Sequence, residues 1–264
     1  MQYTKGIVFF IDILGTQRIT NFDKLYNINS IFHDEFELSN ARNLDHVKYE
    51  RKAISFSDCT YIFYFFKDYV SEEDKDYTKL LEVALHNTSL SILRFLDSGF
   101  LVRGGVTIGD YYFESTKLFG PAVNRAYFLE AKEAKYPRIL IDDKIAGSLL
   151  SAINLRKQNY PLTFEFQKGS IVLQDEDGKY YLNYLNPLEN SSVIYLENHT
   201  IPSSLIEKSF VETTDKINIL RNELVNSNED YVSRQRKILE KLEWHCNYLN
   251  SVQTDEGGAS MIRR

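Results

Sequence analysis

Cysteine is scarce in this 264-residue chain, with Cys59 and Cys246 the only two. They lie far apart and lack metal-type spacing, which excludes a disulfide scaffold and points to a reducing, cytoplasmic setting. Long hydrophobic runs are missing too. The apolar stretch in the opening "MQYTKGIVFFIDILG" is about eight residues and ends at Asp12, well short of the roughly 20 a helical span needs, and no small-residue cleavage site follows it. No direct membrane insertion is expected. Positive charge is in deficit, with 31 Lys and Arg against 37 Asp and Glu, so general attraction to nucleic acid is excluded, while a local basic pocket for a phosphate ligand is not. The five histidines (His33, His46, His86, His199, His245) are scattered without ligand spacing, and internal repeats and low-complexity segments are absent. "RGGVTIG" is no dinucleotide fingerprint, because it lies between strand-like runs rather than opening a helix. Cys59 has no histidine near it in sequence and reads as a small strand residue.

What is present is an ordinary folding composition, 43% hydrophobic and 26% charged, which argues against disorder. "KGIVFFID" (5–12) reads as a buried strand broken by Gly15, and a helix follows over Phe22–Arg42. Two β-rich runs, 47–56 and 59–66, form a hairpin around Ser57 and Asp58. Leu81, Ala84, Leu85, Thr88, Ile92 and Phe95 recur at helical spacing after the acidic 71–76 segment. Residues 100–120 read as two strands parted at Gly109 and Asp110, with Gly104 and Gly105 permitting close backbone approach. Pro121 opens a helix to Lys135, 138–142 is a strand, and 163–187 adds further strands around a DEDG turn. The order β, α, β, β, α, β, β, α, β predicts an α+β, ferredoxin-like split βαβ core with added elements.

From Pro202 onward the pattern changes. Ile206, Phe210, Thr213, Ile217, Leu220 and Leu224 step by four and three, and a second helix, 229–250, carries Tyr231, Ile238, Leu242 and Leu249 on one side. These predict a C-terminal helical hairpin, packed on the core or used in dimer contact. The expected division is 1–190 as the core domain, 191–252 as the helical extension and 253–264 as a flexible tail.

Two acids interrupt apolar, strand-like sequence: Asp12 in "FFIDILG" and Asp58 in "ISFSDCTYIF". A buried carboxylate needs a partner, a proton or a metal. In the split βαβ arrangement both reach one sheet end and can share divalent cations; alternatively, each caps a turn.

The fragments "FFIDILG", "SFSDC", "VRGGVTIGDYY" and "FGPAVNRAYFLEAK", in this order over residues 7 to about 133, resemble the class III nucleotide cyclases, and within them the bacterial pyrimidine cyclases of the Pycsar antiphage systems. The resemblance implies that Asp12 and Asp58, with the carbonyl of Ile13, hold two Mg²⁺ or Mn²⁺ ions, and that Gly15 and Thr16 contact the triphosphate. It implies that Asn124 orients the ribose. Where these enzymes carry a transition-state arginine this chain has Phe128, a departure that requires another cation: Arg125, Arg103 or Lys117. The two positions that read a purine hold Ile54 and Lys117, neither of the purine pairs, which favours UTP or CTP as substrate. Tyr49 and Arg51 are further candidates for reading the base. The implied protein is a homodimer with composite sites, the aspartates from one subunit and the asparagine helix from the other, whose cyclic product (cUMP or cCMP) acts on a separate effector. A purine cyclase or a catalytically silent nucleotide-binding module are the alternatives.

Overall fold

The first strand, β1 (Thr4–Leu14), is apolar on both faces, and its burial follows from that: Ile7, Val8, Phe9 and Ile11 are fully buried. The computed structural model describes residues 2–16, 19–41, 47–160, 167–196, 198–224 and 229–253. After β1 come α1 (Phe22–Ala41), β2 (Tyr49–Phe56), β3 (Cys59–Phe66), α2 (Tyr77–Asp97) and β4 (Leu101–Glu114). The sheet runs β2, β3, β1, β4, each neighbouring pair antiparallel, which is the ferredoxin-like βαββαβ order. The α+β expectation therefore holds.

Beyond β4 the sheet grows. β5 (Lys117–Phe119) folds back on β4, α3 (Pro121–Phe128) runs into a π-helical turn at Leu129–Glu133, and β6 (Ile139–Ile141) joins β4 in parallel. After α4 (Asp143–Asn159), β7 (Val172–Gln174) and β8 (Tyr180–Leu182) complete the far edge, joined by the Asp175–Gly178 turn. The predicted strand residues 163–166 lie outside the described residues, as do Arg42 and His46.

Strand alternation sorts the side chains onto two faces. Val8 and Phe10 share one with Tyr61, Phe63 and Tyr111, beneath Ala122, Val123 and Ala126 of α3. α1 and α2 lie on the other face, where Phe32 and Phe95 meet at 4.6 Å between ring centroids. α2 starts at Asp76, whose side chain caps the Lys79 amide at 2.9 Å. α3 can approach because Gly105 has no side chain: a Cβ there would lie 2.3 Å from Leu129 Cβ and 2.8 Å from the Ala126 carbonyl oxygen.

One predicted turn is corrected. Gly109 and Asp110 do not break the strand but pair with Gly6 and Lys5 in the β1–β4 ladder, and Gly109 is small because Ala122 packs against it. The chain reverses six residues later, where Ser115 takes a φ of 53° between the paired Glu114 and Lys117.

Residues 1–134 and 138–186 form one compact unit; 135–137 and 187–264 form a second. The second holds a small hairpin, β9 (Val193–Leu196) and β10 (His199–Pro202), and two packed helices, α5 (Leu205–Leu224) and α6 (Glu229–Gln253). Arg221 bonds Glu243 at 2.7 Å across the helix pair, and Trp244 stacks on Tyr136 and Tyr248. On α5 Ile206, Thr213 and Ile217 of the predicted stripe are buried and Phe210, Leu220 and Leu224 half-buried, while on α6 Leu249 is buried as predicted, Leu242 is half-buried and Ile238 is 42% exposed, the buried side also taking in Gln235, His245, Tyr248 and Val252. The side chain of Tyr231 and the predicted tail beyond Gln253 lie outside the described residues. Among the described residues no helix is long and apolar enough to cross a membrane.

Candidate metal and nucleotide site

Asp12 sits two residues before the end of β1, in register with Cys59 on one side and Arg103 on the other. Cross-strand partners share a face, so carboxylate, thiol and guanidinium project together. Asp58 arrives from the two-residue β2–β3 turn, whose first residue, Ser57, takes a φ of 56°. The turn is pinned to β1, as the Ile13 amide donates to the Asp58 carbonyl oxygen at 3.0 Å. One ligand atom each from Asp12, Asp58 and Cys59 lies within 4.8 Å of the others. The two acids interrupting apolar sequence are thus brought together.

The hydroxyl of Thr16 donates to Asp58 Oδ2 at 2.6 Å and lies 3.3 Å from the Ile13 carbonyl oxygen. Thr16 reaches back because Gly15 turns the chain with a φ of 86°. Burial tends to raise the Asp58 pKa, yet the bonds from Thr16, its own backbone amide, Ser57 and Cys59 outweigh it and hold the carboxyl below the ordinary range. Asp58 is therefore anionic at neutral pH. Cys59 is more than the small strand residue its sequence context suggested: its Sγ lies 3.4 Å from Asp12 Oδ1. Burial first, and the adjacent Asp12 second, push its thiol well above the usual range. Beside Asp58 opens a cavity of about 480 Å³ lined by Ile13, Thr16, Leu25, Ile28, Asn29 and Asp58.

Arg103 provides a cation within this group, its Nη2 3.7 Å from Asp12 Oδ2 and its Nε donating to Glu130 Oε1 at 2.7 Å. Glu130 is a site residue the sequence reading missed. It comes from the π-helical turn, a feature that helical spacing alone does not reveal.

Arg125, the other arginine considered for the reaction, is engaged elsewhere. Its Nε and Nη2 donate to Asp142 at 3.0 and 2.9 Å, and its Nη1 donates to Glu133 at 2.7 Å. Two carboxylates neutralise it, and it braces α3 against the start of α4.

The positions considered for base and ribose are spread out. Asn124 and Lys117 are exposed on α3 and β5. Ile54 packs against the Tyr61 and Phe63 cluster on the Asp12 face. Arg51 is 7% exposed, its guanidinium 5.9 Å from the Tyr64 ring centre. It pairs with Tyr64, itself opposite Ile7, so it lies on the face opposite Asp12 of its own chain. Tyr49, two residues earlier, shares that opposite face and lies 6.3 Å from the Tyr64 ring.

No protein-family model matches the chain, and no curated protein matches it. Solved structures similar to it include the monomeric guanylyl cyclase domain of a rhodopsin fusion from Blastocladiella emersonii, at 15% identity over 69% of this chain and 96% of that one, TM-score 0.42. The guanylate cyclase domain of a similar protein from Catenaria anguillulae, in complex with GTP, shows 17% identity over 69% and 98%, TM-score 0.40. An adenylate/guanylate cyclase/hydrolase from Silicibacter pomeroyi shows 15% over 68% and 95%, TM-score 0.36. Likeness at this level carries no argument about activity, which has to come from the chain's own residues.

Proposed function

We propose that this chain is a divalent-metal-dependent nucleotide cyclase of the class III kind, converting UTP or CTP to the 3′,5′-cyclic monophosphate and pyrophosphate as a second messenger in antiphage defence. The observation that carries the reading is the convergence of Asp12 and Asp58, with ligand atoms inside 4.8 Å, at one end of a ferredoxin-like sheet. Carboxylate oxygens suit Mg²⁺ or Mn²⁺, so the residues fit the ions the resemblance implies, with the Ile13 carbonyl beside them. When bound, such ions lower the pKa of the ribose 3′-hydroxyl and offset charge on the departing pyrophosphate.

The chain's own residues do the rest. Thr16 orients the Asp58 carboxylate, and the Gly15 to Thr16 turn presents backbone to the phosphates. Arg103 contributes positive charge next to Asp12, the role that Phe128 cannot fill. Asn124, exposed on α3, serves the site of a second copy by orienting the ribose, which makes the active form a homodimer. Ile54 and Lys117 stand where a purine would be read, and neither supplies a purine-specific pattern of hydrogen bonds.

Incubation with each of the four nucleoside triphosphates and Mn²⁺, followed by mass spectrometry, is expected to yield cUMP or cCMP. A cyclic purine product would replace the pyrimidine assignment, and absence of any cyclic product would remove the activity. Phe128, together with the neutralised Arg125, favours one second reading, a silent module that binds nucleotide without turning it over. Triphosphate binding with no product distinguishes it.

A further inference from the structure

The Arg103 guanidinium stands between two carboxylates of unequal standing. Glu130 is 4% exposed and takes two bonds from Arg103, through Nε at 2.7 Å and through Nη2, while Asp12 lies 3.7 Å away at the site itself. Glu130 is delivered by the π-helical turn at Leu129–Glu133, which sits over Gly105, two residues along β4 from Arg103. An arginine that closed on Asp12 would compete for the oxygens a divalent cation needs. One drawn fully away would leave Asp12 and Asp58 to repel each other.

We infer that Glu130 is a positioning residue that tethers Arg103 just short of Asp12, and so sets how strongly the site binds its divalent cation. The inference rests on the reading of Asp12 and Asp58 as cation ligands. Removing the charge of Glu130 frees the guanidinium to pair with Asp12, so binding weakens. Removing the charge of Arg103 takes this competing cation away from Asp12, so binding tightens. A residue that only supported the fold would shift both variants in one direction.

The test is titration of the full-length protein with Mn²⁺ alone, following free Mn²⁺ by electron paramagnetic resonance, for wild type, Glu130→Gln, Arg103→Gln and the double variant. Glu130→Gln is expected to bind about tenfold more weakly and Arg103→Gln about tenfold more tightly, the scale of one partly screened unit charge a few ångströms away. The double variant is expected to behave like Arg103→Gln, because without the guanidinium there is nothing to tether. Should Glu130→Gln fail to fold, Glu130→Asp, which keeps the charge and shortens its reach, is expected to weaken binding in the same direction and by less. Wild-type binding with both single variants shifted the same way or unshifted, or with a double variant that binds like wild type as independent charges would, overturns the tether and leaves the cation site standing. Absence of Mn²⁺ binding in wild type overturns the cation site and the tether with it.

Discussion

Replacing Asp58 with asparagine separates a metal ligand from a structural cap. Asp12 and Asp58 place ligand oxygens within 4.8 Å. Two unit charges at that separation repel by about 3.5 kcal/mol at an effective dielectric of about 20, and by about 1 kcal/mol in water. Arg103, 3.7 Å from Asp12, offsets part of this. Asp58→Asn removes the repulsion but leaves Asp12 its arginine, and the asparagine oxygen still accepts from Thr16, with a loss of about 1 kcal/mol for the weaker neutral acceptor. The same bonds that hold the Asp58 carboxyl below its ordinary range offset the repulsion relieved, so in EDTA the variant is expected to lie within about 1 kcal/mol of wild type, a melting-temperature change of at most about 4 °C. Mn²⁺ at about 100 times its dissociation constant is expected to stabilise wild type by about 2.7 kcal/mol and the variant hardly at all. Thermal melts of both proteins with and without Mn²⁺ read all four values. A variant about 2 kcal/mol less stable in EDTA, with Mn²⁺ raising both proteins equally, would refute the reasoning and make Asp58 a turn cap.

Other expectations concern the frame. Gly105→Ala puts a Cβ 2.3 Å from Leu129 Cβ and 2.8 Å from a backbone oxygen, so α3 must shift at a cost of about 2 kcal/mol or more, measured by urea denaturation; an unchanged midpoint refutes the close contact. Asp142 has a side chain 1% exposed and holds both Arg125 and Thr107, so Asp142→Asn is expected to lose about 3 kcal/mol, and a loss under about 1 kcal/mol would show the ion pair to be dispensable. In α6, burial and then Lys216 depress the His245 pKa from 6.5 to about 3. Between those values the unfolded chain binds the proton that folded His245 refuses, so stability is complete above pH 6.5 and is lost as pH falls, by about 1.4 kcal/mol per unit. Chemical denaturation at pH 7 and pH 5 is expected to show this slope in wild type and a flatter one in His245→Leu; equal slopes would contradict it.

Short-range pattern determined much of this protein. The buried first strand, the Ser57–Asp58 hairpin, the α2 stripe and Pro121 at the start of α3 all follow from side-chain period and turn chemistry, which act within a few residues. The two acids were legible for the same reason, since a carboxylate within apolar strand sequence needs compensation. Continuous pairing through Gly109 was not legible, because a glycine that admits a neighbouring helix looks the same in sequence as one that turns the chain. The tertiary structure alone decided which arginine stands beside Asp12. Arg51, Arg103 and Arg125 carry the same charge in the sequence, but sheet register buries the first on the far face, sets the second opposite Asp12, and leaves the third bound to Asp142 and Glu133. Charge is a property of the residue, whereas its partner is fixed by strands and turns far apart along the chain, and Glu130 reaches Arg103 only because a π-helical turn carries it there.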